Sequence, residues 1–217
     1  MNKEFLKRSL SAIILLPLTL FFIFNGSILF NVFISFCLFI SSYEWHLMSR
    51  KKKYYIPGFF FLILSFYTTY LLFDFDGNFN LFLIIILICI STDLGGYIFG
   101  KFFKGPKLTK ISPNKTYSGM IGGYIISIIN INIFTSLSFT FVSSFKISIS
   151  LLIFTLLIST ISQIGDIIIS YFKRLSNIKD TGNIIPGHGG LLDRVDGMIF
   201  AFPISYIILR MNIFQFY

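Results

Sequence analysis

Between Ser170 and Asp196 the chain reads S-Y-F-K-R-L-S-N-I-K-D-T-G-N-I-I-P-G-H-G-G-L-L-D-R-V-D, with two Lys, two Arg, three Asp, one His and four Gly in 27 positions. The 217 residues include only nine acidic ones, and four of these, Asp166, Asp180, Asp193 and Asp196, lie here or just before. Charge is costly in a bilayer, so such a cluster marks a functional site by default. Asp193 and Asp196 stand at i and i+3 and point the same way from one helical turn. Two like charges there repel unless a cation or Arg194 lies between them, and hard ions such as Mg²⁺ choose carboxylate oxygens. Pro186, Gly187, His188, Gly189 and Gly190 make a backbone that can approach phosphate closely. Upstream, Gln163, Asp166, Ser170 and Lys173 recur at i, i+3, i+7 and i+10 and share one helical face. A structural pairing of Asp166 with Lys173 is the alternative, and it leaves Lys179, Asp180 and His188 unexplained.

A second polar group surrounds Asp93. It lies beside Gly95 and Gly96 and precedes the loop K-F-F-K-G-P-K-L-T-K-I-S-P-N-K-T-Y-S-G from Lys101 to Gly119. Pro106 and Pro113 argue against a continuous helix there. Ser112, Asn114, Lys115 and Thr116 offer donors of the kind that hold phosphate oxygens. A solvated basic loop stands as the alternative.

The elements that must carry these residues are apolar. The chain is 55% hydrophobic and 12% charged, with a mean hydropathy of +0.81. A spanning helix needs about 20 apolar residues, and seven stretches qualify: about 10–25, 27–48, 56–73, 80–100, 119–142, 148–171 and 191–213. The expectation is an all-α polytopic membrane protein of about seven transmembrane helices. Residues 1–79 form amino-terminal membrane helices, and residues 80–217 form a catalytic membrane domain with cytoplasmic substrate loops. A cytoplasmic amino terminus and an outside carboxyl terminus put sixteen of the eighteen Lys and Arg inside, leaving Lys146 and Arg210. The net charge of +9 is then a cytoplasmic-face property that attracts anionic headgroups and nucleotides, with no nucleic acid implied. Topology alone suffices for Arg50–Lys53. No small-x-small site follows the first apolar run, against a signal peptide. Cys37 and Cys89 lie in apolar spans and suggest neither disulfide nor zinc. Glu44-Trp45-His46 ends the second span, with Trp45 as an interfacial anchor, and Asp74-Phe-Asp-Gly is a solvated outer turn.

Acidic metal ligands beside basic and Gly-rich phosphate holders suit phosphoryl or nucleotidyl transfer, where positioning and charge neutralisation do most of the catalysis. There is no GxxxxGK[ST] and no GxSxG. A CTP-dependent lipid-alcohol kinase is the nearest enzymatic rival. A CDP-alcohol phosphotransferase would need Ala-Arg after Asp196-Gly197 and its two following residues, and these are absent. A transporter would place its acidic relay near the midplane, where only Asp93 and Asp166 come close.

The stretch S-x-x-K-R-x4-K-D-x-G-x3-P-x-H-G-G-x2-D-R-x-D from Ser170 to Asp196 resembles the phosphatidate cytidylyltransferase, or CDP-diacylglycerol synthase, family. The segment from Asp93 to Gly123 is similar to that family's other cytoplasmic segment, and Glu44-Trp45 also fits. Asp93 is followed by Leu94 where the family usually has a small or hydroxyl residue, and the chain is short for a bacterial member by one or two amino-terminal spans. The resemblance implies CTP and phosphatidate as substrates, Mg²⁺ as cofactor, and a multi-pass protein of the cell inner membrane with its active site facing the cytoplasm; a homodimer is allowed. It implies Mg²⁺ on Asp193 with Asp166 and Asp196, and phosphates on Lys173 and Arg174. Ser170, Lys179, Asp180, His188, Gly189, Gly190 and Arg194 would bind substrate, with Ser112, Lys115 and Thr116 on the nucleotide side.

Overall fold

A computed structural model describes residues 17–73, 75, 79–137, 148–185 and 189–214, apart from the side chain of Ser27. Most of the expected first span lies outside these residues, as do His188, Pro186, Gly187, Asp74, Asp76 and Lys146. Residues 17–24 are helical. The chain then forms α1 (Ser27–Ser49), α2 (Tyr55–Phe73), α3 (Phe79–Phe103), α4 (Tyr117–Leu137), α5 (Ile149–Leu175), α6 (Leu192–Val195) and α7 (Met198–Arg210). The described residues contain no strand, only isolated bridges at Lys107–Thr116 and Ile185–Gly189.

The five helices α1 to α5 are long and apolar enough to cross a membrane. The expected span at 191–213 is not one helix. It is broken into α6, a turn at Asp196-Gly197 and the 13-residue α7, which at about 1.5 Å per residue falls short of a bilayer core. The physical reason is the charge at its start: Asp193 is drawn into hydrogen bonds with the preceding loop instead of continuing an apolar helix.

Two compact units interleave along the chain, Met1–Tyr70 with Phe172–Val195, and Leu71–Tyr171 with Asp196–Tyr217. The motif segment Phe172–Val195, expected to go with residues 80–217, thus groups with the amino-terminal helices.

In the first unit Trp45 is a core residue, only 3% exposed, and not the lipid-interface anchor expected of it. Its Nε1 donates to the Tyr55 carbonyl at 3.0 Å, and its ring meets Tyr54 and Phe172 edge-on. Gly58 leaves the space the indole fills. The turn between α1 and α2 grips the end of α5: Lys52 Nζ donates to the Leu175 carbonyl at 3.0 Å, and the Tyr54 and Ser176 hydroxyls meet at 2.7 Å. Lys52 therefore caps a helix. The last turn of α5 closes as a Schellman motif, with Ile178 N–H on the Lys173 carbonyl, Asn177 N–H on the Arg174 carbonyl, and Asn177 at φ +56°. That reversal delivers the chain into the loop that follows.

In the second unit α3 and α4 pack backbone to backbone. A methyl on Gly95 would collide with the Gly122 carbonyl, and one on Gly119 would stand 2.7 Å from the Gly96 oxygen. Small residues permit such approach between helices in lipid. Hydroxyls tie both helices to α5: Thr92 to Ser159 at 2.8 Å and Tyr124 to Thr160 at 2.9 Å. The connection from α3 to α4 folds back on itself through Leu108 N–H on the Lys115 carbonyl and Tyr117 N–H on the Pro106 carbonyl. Cys37 and Cys89 are free and buried.

Candidate active site

In the first unit the motif segment builds its own electrostatic centre. Lys173, in the last turn of α5, is nearly buried, and its Nζ lies 2.8 Å from Asp193 Oδ1. Asp193 Oδ2 accepts the amides of Thr181 at 2.8 Å and Gly190 at 3.0 Å. Burial pushes the Asp193 carboxyl up, but Lys173's hydrogen bond and charge, with the two amides, outweigh it and hold the group below its ordinary 3.8. A carboxylate offers about four lone-pair sites, so three bonds leave Asp193 one.

Gly189 is at φ +85°, and a side chain there would press on Asp193 Oδ2 and Asp180. The Gly190 amide, a phosphate donor in the sequence reading, is given to Asp193. Arg174, Lys179, Asp180 and Arg194 are exposed. Arg174 Nη1 also donates to the Ile178 carbonyl at 3.1 Å, which keeps its stem against the loop. The centre therefore has a buried, neutralised Lys–Asp pair and an exposed rim of cations. Glu44, read in the sequence as the end of a span and as part of the family resemblance but not as a site residue, also enters this loop. A lone acidic residue six positions before the basic run Arg50–Lys53 was the available signal.

In the second unit the ion pair is Lys115 Nζ with Asp166 Oδ2 at 3.0 Å. The folded-back loop presents Lys115 and α5 presents Asp166, so Asp166 pairs with Lys115 and not with Lys173. Asp166 Oδ1 is buried and accepts no hydrogen bond. Asp196 follows α6, with its Oδ1 on the Gly197 amide at 3.1 Å. Gly197 packs directly on Ser162 and on Asp166, where a Cβ would come 2.8 Å from Oδ1. Among the described residues no three Asp, Glu, His or Cys converge as a cage. Mg²⁺ does not need one, because it binds through one or two carboxylates plus substrate phosphates and water. An orphaned buried carboxylate oxygen is costly without a partner, and Asp166 with Asp196 nearby fits such an ion. Thr116 caps α4, its Oγ1 accepting the Gly119 amide at 3.1 Å. Ser112 and Ser170 are half-buried, the former in the same loop as Lys115.

The model of the cytidylyltransferase family matches the chain over residues 59–212. The chain belongs to this family. It is 36% identical over 207 residues to a phosphatidate cytidylyltransferase of Rickettsia bellii (strain RML369-C), covering 93% of this chain and 89% of that protein. The protein of the same name from Rickettsia typhi (strain ATCC VR-144 / Wilmington) is 38% identical over 169 residues, 75% of this chain and 73% of that one. That of Bacillus subtilis (strain 168) is 43% identical over 123 residues, 56% of this chain and 44% of its own length. The family match takes in both ion pairs, and Glu44 lies before it.

Proposed function

We propose that the chain transfers the cytidylyl group of CTP to phosphatidate, giving CDP-diacylglycerol and pyrophosphate for phospholipid synthesis. The observation that carries this is the likeness to the Rickettsia bellii protein along 93% of the chain, together with the two partly buried ion pairs. A phosphate oxygen of phosphatidate attacks the α-phosphorus of CTP, the bond to the bridging oxygen breaks, and pyrophosphate leaves with the electron pair. The lipid phosphate is itself the nucleophile, so no covalent enzyme intermediate is needed.

The residues bind and orient. Arg174, Lys179 and Arg194 are the exposed cations of the motif segment, and Arg suits bidentate grip of phosphate. Lys173, which donates to Asp193, carries a three-donor ammonium of the kind that holds phosphate oxygens. Asp193 orients Lys173 and ties the loop ends. Asp180, Gly189 and Gly190 shape the loop beside them, His188 would bind substrate, and Ser112, Lys115, Thr116 and Ser170 serve the nucleotide. Mg²⁺, held by Asp166 and Asp196, would neutralise charge on the triphosphate.

The positive-inside pattern supports a cytoplasmic amino terminus, an outside carboxyl terminus and a cytoplasm-facing site in the inner membrane. Lipid would enter sideways from the inner leaflet. The test is purified protein in mixed micelles with labelled CTP and phosphatidate. Mg²⁺-dependent, equimolar CDP-diacylglycerol and pyrophosphate, without activity on ATP, are expected. Release of CDP with a new phospholipid would replace this reading with a lipid kinase.

A further inference from the structure

Glu44 lies on α1 and is 0% exposed. Neither of the ion pairs Lys115–Asp166 and Lys173–Asp193 includes Glu44, whose carboxylate is met by the dipoles of a loop. Its Oε1 accepts the Leu191 amide at 2.8 Å, and its Oε2 accepts the Leu192 amide at 2.8 Å and the Thr181 hydroxyl at 3.0 Å. Every one of these donors belongs to the motif loop. Asp193 takes the remaining donors at the same two places, Thr181 N–H and Gly190 N–H. Two carboxylates thus clasp both ends of the loop, Thr181 on one side and Gly190 to Leu192 on the other.

The glycines at these ends answer to Glu44. A Cβ on Gly182 would stand 2.8 Å from Glu44 Oε1, and one on Gly190 would stand 2.5 Å from Oε2 and collide with the Thr181 hydroxyl. The second glycine of His188-Gly-Gly is therefore required by a carboxylate of this chain, whatever phosphate the loop meets.

We infer that Glu44 is a positioning residue for the transfer reaction, fixing Thr181 and the segment Gly190–Leu192 and, through them, the Asp193 carboxylate that holds Lys173. This rests on the proposed function, in which the loop and Lys173 handle phosphate. Phosphoryl transfer depends on placement, and a shift near 1 Å from a remote change costs on the order of 100-fold in rate. Gln at position 44 keeps the shape but sets an NH₂ against at least one N–H donor.

The test compares wild type, Glu44→Gln, Thr181→Val and the double variant, each assayed per folded molecule after size exclusion and thermal unfolding. Glu44→Gln is expected to lower kcat about 10- to 100-fold, Thr181→Val by less. The Thr181 hydroxyl acts through Glu44, so the double variant should fall no further than Glu44→Gln alone. A purely structural role would lower the unfolding temperature and leave kcat per folded molecule unchanged, and that result overturns the inference. If Glu44→Gln does not fold, Thr181→Val decides: a reduced kcat at unchanged folded fraction supports the clasp, and wild-type kcat refutes it. A wild type that makes no CDP-lipid from CTP and phosphatidate sinks the proposed function itself, which is a different outcome.

Discussion

Asparagine at position 193 isolates what the buried pair does. The Asp193 and Lys173 side chains are 7% and 11% exposed, so water screens their attraction little. Asn keeps one acceptor. If that oxygen faces the amides of Thr181 and Gly190, the NH₂ faces the Lys173 ammonium; turned round, the NH₂ faces the two amides instead. Either way a buried cation is stranded, and breaking such a pair costs about 3–5 kcal/mol. Adding Lys173→Met removes that cation and lets the Asn oxygen keep both amides. The double variant should then regain roughly half of the loss or more, since replacing both charges is often near neutral. Thermal unfolding in detergent gives the stabilities, and labelled CTP with phosphatidate gives turnover. Turnover should not return with stability, because the reaction needs the ammonium. The reasoning is refuted if Asp193→Asn lies within about 0.5 kcal/mol of wild type, or if Lys173→Met lowers its stability further.

Other consequences follow from particular contacts. The Asp193 carboxyl is held below 3.8 in the fold, so its stabilisation is present above that value and is lost as pH falls through the lower, folded pKa. Unfolding temperature should therefore show no step from Asp193 between about pH 5 and 8, and a step there would contradict the pairing. Asp166→Asn should raise the Mg²⁺ concentration needed for half-maximal rate; an unchanged Mg²⁺ titration would remove Asp166 from the metal set. Thr116→Ala should cost about 1 kcal/mol as a lost helix cap, and an unchanged unfolding temperature would deny the cap. Lys51→Ala should leave stability and turnover unchanged, whereas Lys52→Ala should lose about 0.5–1.5 kcal/mol with its bond to the Leu175 carbonyl. Equal stabilities in these two variants would return Lys52 to a purely topological charge.

The helices were readable because lipid imposes a single requirement, a long apolar run, and α1 to α5 satisfy it within a few residues of the expected bounds. The break at 191–213 was hidden because hydropathy averages over Asp193, Arg194 and Asp196, whereas the fold follows where their oxygens find donors. The pairing of charges was also hidden. Asp166 and Lys173 share a face of α5, and helical spacing invites them to pair. Yet the chain sends Lys115 to one and Asp193 to the other, because each partner arrives on a loop that spacing along one helix cannot register. Trp45 failed for a related reason. An aromatic before a basic run fits an interface, and only the glycine at position 58 reveals the space that buries it.

Carboxylates at the edge of a membrane serve two needs that leave the same mark in a sequence. A loop between spans must satisfy its amides where water is scarce, and a phosphate-transfer site must collect oxygens and cations in that same layer. Glu44 and Asp193 meet the first need with their own oxygens, accepting four amides and one hydroxyl between them. Asp166 retains a buried oxygen without a donor, which suits it to the second. What separates the roles is the number of donors already turned toward each carboxylate, a quantity fixed by tertiary structure and absent from any motif. A charged motif in a membrane enzyme therefore identifies the layer where chemistry takes place, and hydrogen-bond accounting is then needed to tell the groups that build the loop from those left available to substrate.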